Sequence, residues 1–599
     1  MGEPEGKTRR HNGRAGGGMS GGLDVAQSGQ MGWERAGNAL RRLAMWGALL
    51  LAAGLVLAPV VAVVYGAFRS RSPGAPRAVF TLAKMAQTWG GLFTGEWTQI
   101  PTINTILLAV PVTLVATALG VLLAWSVTRT DMPYRRVFEV MFLVPLLYSP
   151  LVGVIGWTVL GDPRAGLLNQ AWTSVTGLMN PLLDVYSYAG IAWVMVFYFA
   201  PYAFLLCAGA FRALDSTLEE AAAMSGANLF RRLTFVTFPI MAAGIGAAAL
   251  FIFTLALEQF AIPGFLGAHV HFETLAYAIF QRTNAYPSDL PGAAAAGTLL
   301  LVLSSIGLYA YRRMTRHSER FVTVTARGYR PVPTALGRMG PVLAVICGLL
   351  ALLGVVLPLA AVVLRALLPV RTASLELSML GLDNFRALLQ AEDIMLGLRN
   401  TGWLAFGAAT LCAGLGLLIG FMITRRRSLT SSMLDYLVAL PIGIPGTVFG
   451  VGMLWAYVGT PIYLTLWILL LAFVVRYIVY AVRTVSGGMM QIDKVLEESA
   501  AIAGGDPWRS FIFVDLPLLK PAIASAWLLV FLIVMREISA SVILYGANSV
   551  TLPILTWSYL NDGSYGIASA LAVAQVVIVG AVVLLLRRVF GADIRARSE

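Results

Sequence analysis

Charge is scarce in this 599-residue chain: Asp, Glu, Lys and Arg make up 12% of it, against 58% hydrophobic residues. A soluble domain carries about 25% charged residues, and a chain of this length divided into soluble domains needs a charged coat that these residues cannot supply. That excludes a soluble multidomain enzyme. Cysteine is scarcer still. Cys207, Cys347 and Cys412 lie far apart inside apolar runs, which excludes a disulfide framework or a Cys-x-x-Cys pair and leaves three small hydrophobes. Of the four histidines, His269 and His271 stand two apart but lack a carboxylate cluster, too thin a donor set for a metal. No Ser/His/Asp constellation, paired-carboxylate site or nucleotide loop is legible, so no catalytic residue, metal or cofactor is assigned. Gly6-Lys7-Thr8 mimics the end of a phosphate-binding loop, but the glycine needed five residues earlier is Met1 and no strand precedes it.

What the chain has in abundance is long apolar runs. A bilayer core needs about 20 such residues in a helix, and twelve runs qualify. The first six are 44–68, 103–127, 137–160, 190–211, 240–257 and 291–311; the second six are 341–364, 401–423, 436–457, 462–482, 521–535 and 566–586. Continuous runs of this length point to helices, since barrel strands alternate over about ten residues. The expected fold is therefore an all-α polytopic membrane protein with about twelve transmembrane helices. The Gly-rich basic stretch 1–42 ahead of the first run does not read as a cleavable signal, because that run is too long.

The net charge of +13 follows the membrane. With the N-terminus inside, 31 of the 43 Lys and Arg residues fall on cytoplasmic segments and 10 on external ones. The positive-inside rule then places both termini in the cytoplasm. Contact with the lipid bilayer accounts for the basic excess, and nucleic acid is not needed to explain it.

The two halves repeat each other. Asn104-Thr105, Thr128-Arg129 and Pro145 recur as Asn400-Thr401, Thr424-Arg425 and Pro441, 296 residues later. Asp215, Glu220, Gly226 and Pro239 recur as Asp493, Glu498, Gly504 and Pro517, 278 residues later. The difference of 18 falls in the external loop 161–189, where extra length leaves packed helices undisturbed. Six spans per half is an even number, so the repeats run parallel about an axis along the membrane normal. The expected divisions are a tail at 1–42, a first repeat at 43–311, a cytoplasmic linker at 312–340, a second repeat at 341–588 and a tail at 589–599.

One motif in each half departs from lipid-facing composition. Loop 215–239 carries Glu220-Ala221-Ala222, then Gly226 and Pro239; loop 493–517 carries Glu498-Ser499-Ala500, then Gly504 and Pro517. Acidic and alanine-rich residues favour a short helix, the glycine allows a turn, and the proline is expected to start the next span. A helix–turn–helix of this kind, below the membrane, offers another protein small residues for close approach and carboxylates for arginine.

With this pair of loops the chain resembles the inner-membrane permease subunits of ABC importers, the MetI-like family, whose signature is the "EAA" loop. Two permease halves fused in one chain look most like ferric-iron transport permeases, on Asp184-Val-Tyr-Ser, Glu319-Arg-Phe-Val-Thr-Val-Thr and Arg536-Glu-Ile-Ser-Ala. Fused thiamine and 2-aminoethylphosphonate permeases look similar. The resemblance implies two parallel six-helix repeats in a cell inner membrane. It also implies two copies of an ABC ATPase subunit seated on the EAA loops, a periplasmic substrate-binding protein, and no enzymatic activity in the chain itself. Serine in place of alanine at 499 is a mild departure.

Four charged residues lie in or beside spans: Glu258, Arg476, Arg536 and Glu537. Intramembrane charge is a functional hypothesis by default. Arg476 is expected to line the pathway or pair helices, or else to snorkel or be satisfied by a neighbouring carbonyl; the other three are expected near outer span ends, as a gate or an interfacial salt bridge. Twelve spans in two halves also fit a secondary transporter, but the loop after the second span, Thr128-Arg-Thr-Asp-Met-Pro, lacks the Gly-x3-Asp-Arg pattern expected of one.

Overall fold

The computed structural model describes residues 46–214, 217–318, 333–369, 379–425, 428–502 and 507–589. Asp215, Gly504, both tails (1–42 and from 590) and the linker segment 319–332 lie outside the described residues. Among those described there is no strand, only isolated bridges pairing Arg69 with Phe80 and Thr130 with Thr334.

Among the described residues, ten helices are long and apolar enough to cross a membrane. In the first half these are Trp46–Ala67, Gln99–Arg129, Tyr188–Arg212, Leu229–Leu257 and Leu290–Met314; in the second, Met339–Leu367, Glu392–Arg425, Leu466–Met490, Phe511–Met535 and Tyr565–Leu586. The expected spans 137–160 and 436–457 are not straight. Each is a bent pair, Arg135–Leu147 with Pro150–Gly161 at 105° and Leu429–Gly443 with Gly446–Tyr457 at 110°. Proline is the cause. The first arms end in 3-10 turns holding Pro145 and Pro441, and the chain is extended at Ser149 before Pro150 and at Ile444 before Pro445, because the residue before a proline is pushed away from helical geometry.

Contacts at the helix ends decide what the bent pairs do. Tyr188, opening the fourth crossing, donates to the Leu107 carbonyl near the start of the second at 2.7 Å, while Arg129, ending the second, donates to the Leu214 carbonyl after the fourth at 3.2 Å. Those two crossings therefore run parallel, and the bent pair between them must return the chain to the starting side. The second half repeats this, with Trp403 against Trp467 at one end (ring centroids 5.2 Å apart) and Arg425 against the Ile492 carbonyl (3.3 Å) at the other. The bent pairs are broken crossings, and the chain traverses the bundle twelve times.

Glycine permits the parallel pairs to pack. A Cβ on Gly120 would stand 2.7 Å from the Phe204 backbone nitrogen, and one on Gly416 would stand 2.8 Å from the Ala481 Cβ. These are matching positions in the repeat, and small residues are what let membrane helices approach closely.

The halves are interlocked by exchange of their first crossings. Helix Met339–Leu367 packs on the first half's broken crossing, where a Gly156 Cβ would meet the Pro358 carbonyl oxygen at 2.5 Å. Helix Trp46–Ala67 packs on the second half's, where a Gly452 Cβ would overlap the Pro59 carbonyl and Tyr65 meets Trp455 edge-on. Gly156 and Gly452 are 296 residues apart, so the interlock obeys the internal repeat.

Candidate functional site

The first loop begins where the fourth crossing ends. Helix Thr217–Met224 carries Glu219 and Glu220 in its first turn, where carboxylates stabilise the positive end of the helix dipole. It stops at Gly226, whose φ is +81°. The Gly226 N–H donates to the Ala223 carbonyl and the Ala227 N–H to the Ala222 carbonyl, both at 3.0 Å, the double bond of a Schellman stop. Asn228 then caps the next helix by accepting from the Arg231 N–H at 2.9 Å.

That next helix corrects the expectation for Pro239 and Pro517, since neither proline starts a span. The helices run through them, preceded by π-helical turns at Leu233–Thr237 and Phe511–Asp515. The wider turn absorbs the hydrogen bond that proline cannot make. Loop and crossing are thus one continuous helix, Leu229–Leu257 in the first half.

One arginine ties each loop to the membrane helices. Arg129, 3% exposed at the end of the second crossing, pairs with Glu219. The Thr237 hydroxyl donates to the other oxygen of that carboxylate at 2.6 Å. The second half rebuilds the anchor at matching positions: Arg425 lies 2.6 Å from Glu497 and 3.9 Å from Asp515. Thr237 has become Asp515, so the second arginine faces two acids.

Sequence reasoning chose the neighbouring acids. Glu220 and Glu498 face outward, as do Ala221, Ser499, Pro239 and Pro517, while Ala222 and Ala500 are half-buried. The acids that reach inward are Glu219, which is buried, and Glu497, which is half-buried. Adjacent residues on a helix point about 100° apart, so only one of each Glu-Glu pair can reach inward; the recurring Thr-Arg dipeptide held the signal for its partner.

The outward surface of each knob is apolar at its edges. Leu218 and Met224 of the first loop are 55% and 86% exposed, and their repeat mates Leu496 and Ile502 are 46% and 88% exposed. Exposed apolar side chains thus stand beside carboxylates at repeat-matched positions of both loops, the composition of a surface that another protein can cover.

The intramembrane charges meet at the bends. Arg476 lies ten residues into Leu466–Met490, about 15 Å from its start, and its guanidinium bonds Glu258 at 3.0 Å and the Ile444 carbonyl at 2.7 Å. Glu258 also accepts from the Gly446 N–H at 3.3 Å. Arg536 donates to the Leu146 carbonyl at 2.5 Å and lies over the Tyr202 ring. Glu537 accepts from the Ala540 and Ser541 N–H groups and holds the short helix Ser541–Leu544. Glu258 and Arg536 cap the ends of the helices that finish at Leu257 and Met535, and short helices such as the buried Ala261–Ala268 follow them. Arg476 pairs helices and satisfies a carbonyl at once.

His269 and His271 do not come together on a site. The His269 ring packs against Tyr186 at 4.6 Å with Nδ1 3.0 Å from the Phe265 carbonyl, and His271 sits in a turn with φ +56°. Among the described residues, no three His, Cys, Asp or Glu side chains converge to hold a metal ion.

The family described as binding-protein-dependent transport system inner membrane component matches the chain twice, over residues 116–319 and 414–596. Ferric transport system permease protein FbpB of Actinobacillus pleuropneumoniae is 27% identical over 502 residues, covering 82% of this chain and 71% of that protein. Fe(3+)-transport system permease protein FbpB 2 of Haemophilus influenzae is 25% identical over 500 residues, covering 81% of this chain and 89% of that one. A Salmonella paratyphi A protein named for 2-aminoethylphosphonate transport, PhnV, is 30% identical over 201 residues, covering 33% of this chain and 75% of its own.

Proposed function

This chain belongs to the binding-protein-dependent transport system inner membrane component family, and we propose that it forms the membrane pathway of an ABC importer for ferric iron. The observation that carries the reading is the repeated knob: an exposed apolar and acidic helix, fixed by an Arg–Glu anchor whose arginine is buried, once per half. Two equivalent surfaces call for two copies of one partner. In this reading each is a separate ATPase subunit, whose ATP-driven closure moves both knobs and switches the pathway between inward-facing and outward-facing states. A periplasmic substrate-binding protein delivers cargo on the opposite face. The Lys- and Arg-rich end, with both termini, faces the cytoplasm across a cell inner membrane.

Ferric cargo is supported by relatives named for ferric transport that share about four fifths of this chain. A second cargo, 2-aminoethylphosphonate, is supported by the 30% identity over 201 residues to PhnV. Reconstitution in vesicles with the cognate ATPase and binding protein tests both. Radiolabelled ferric uptake that requires ATP and the binding protein is the expected result. Uptake of labelled 2-aminoethylphosphonate instead would replace the cargo, and uptake by this chain alone on an ion gradient would refute the ABC reading in favour of a secondary transporter.

A further inference from the structure

Each anchored loop is continuous with a helix that ends against a bend, and the pairing is crossed. In the first half, Thr237 holds Glu219 of the loop. From Thr237 the helix rises 21 residues, about 30 Å, to Glu258. The polar partners of Glu258 lie in the other half. It binds Gly446 and Arg476 at the bend of the second half's broken crossing. In the second half the helix rises by the same 21 residues from Asp515 to Arg536, and Arg536 grips Leu146 at the bend of the first half's broken crossing.

The two ends are repeat mates, 278 residues apart, yet one is an acid and the other a base. The bends explain the inversion. Gly446 opens its helix with a free N–H, which a carboxylate accepts at the positive end of the helix dipole. The residue in its place in the first half is Pro150, which has no N–H. An acid there would have no donor to accept from, and the arginine takes a carbonyl of the preceding turn instead. Sequence differences at two distant sites thus agree chemically, as expected if the cross-contact itself matters.

We propose that each coupling loop works the bend of the opposite half: loop 217–239 drives the Gly443–Gly446 bend through Glu258, and loop 493–517 drives the Leu147–Pro150 bend through Arg536. Glu258 and Arg536 are positioning residues that convey motion to the pathway. The inference rests on the reading of the loops as ATPase attachment points.

Reporters on the outer arms test it. The three native cysteines are buried, so a fluorophore on Val458→Cys reads the second bend and one on Arg164→Cys reads the first. The full importer in lipid is driven with ATP and orthovanadate. Glu219→Gln and Glu258→Gln are each expected to abolish most of the ATP-dependent change at Val458 and spare that at Arg164. Glu497→Gln and Arg536→Gln are expected to do the converse, with Arg536→Lys restoring the Arg164→Cys signal because a lysine still donates to the carbonyl. Loss confined to the same half as the mutated loop, or equal loss at both reporters from every variant, overturns the crossed linkage. Where a labelled variant does not assemble, a double-mutant cycle on ATP hydrolysis replaces it. Glu219→Gln with Glu258→Gln must be no worse than the worse single change, while Glu219→Gln with Arg536→Gln must multiply; the reverse pattern overturns the proposal. An importer whose ATPase never attaches to the loops refutes the underlying ABC reading, a failure distinct from either pattern.

Discussion

Removing Arg129 should free the first coupling helix from the membrane helices. The side chain is almost wholly buried, and it satisfies both Glu219 and the Leu214 carbonyl. In Arg129→Met the carboxylate of Glu219 stays buried with Thr237 as its remaining partner. Breaking one side of a buried pair costs about 3–5 kcal/mol, or about two to nearly four orders of magnitude in the equilibrium that holds the helix in place. Helix Thr217–Met224 has eight residues, too few to keep its structure in water unaided, so its orientation depends on this anchor. The expected outcome is ATP hydrolysis that no longer yields proportionate transport, together with loss of disulfide trapping between Ala221→Cys and a cysteine on the ATPase. The double change Arg129→Met with Glu219→Leu removes the stranded charge, and it should recover much of the trapping, because replacing a buried pair by apolar groups is often neutral. Arg425→Met should be no harsher, since it strands the buried Asp515 while Glu497 keeps partial access to water. Trapping and transport stoichiometry within twofold of the parent in Arg129→Met would refute the anchor.

Three further outcomes are expected. Gly452→Ala places a methyl against the Pro59 carbonyl and should lower the unfolding temperature by overpacking, at a cost of about 1–3 kcal/mol; Gly153→Ala on the other broken crossing, with nothing within 4 Å of its Cβ, is the neutral control. Gly226 has a left-handed φ and open space around its Cβ, so Gly226→Asn should keep the ATPase on co-purification, whereas Gly226→Val should lose it, because β-branched residues do not adopt that conformation. Burial alone would raise Asp289, but hydrogen bonds from Lys84, the Gly292 N–H and Arg282 outweigh it and hold its carboxyl below the ordinary range. A carboxylate depressed in the folded state stabilises above its unfolded pKa, about 3.9, and that contribution is lost as pH falls through the lower folded value. Hydrogen exchange in helix Ala83–Thr94, which Lys84 ties to Asp289 at 3.0 Å, should therefore quicken only below about pH 4, and Asp289→Asn should quicken it at neutral pH.

Much of the fold could be read from the sequence because the signal that dominates it is local. Twenty apolar residues in a row state their own secondary structure, and the recurrence of Thr128-Arg129 and Glu220 as Thr424-Arg425 and Glu498 stated the doubling. The bends at Pro150 and Pro445 were hidden by the same signal, since hydropathy counts proline-broken and straight runs alike. The loops were found, but the inward acid in each was missed: neither Glu219 nor Glu220 is distinguished by composition, and only the position of Arg129 in space chooses between them.

The exchanged first crossings bear on how such a chain can be made. Trp46–Ala67 leaves the ribosome about 390 residues ahead of its seat at Gly452 and Trp455, an interval that at 5–20 residues per second takes about 20–80 s. Throughout that interval the helix stands in lipid with its final contact face uncovered. Its composition tolerates the wait: Leu50, Leu51 and Val61 stay exposed even in the finished protein, so lipid is already a suitable neighbour. Neither half can complete its own broken crossing without the other, and fusing both into one chain fixes their ratio at one to one and keeps each first helix in the same membrane as the partner it must find.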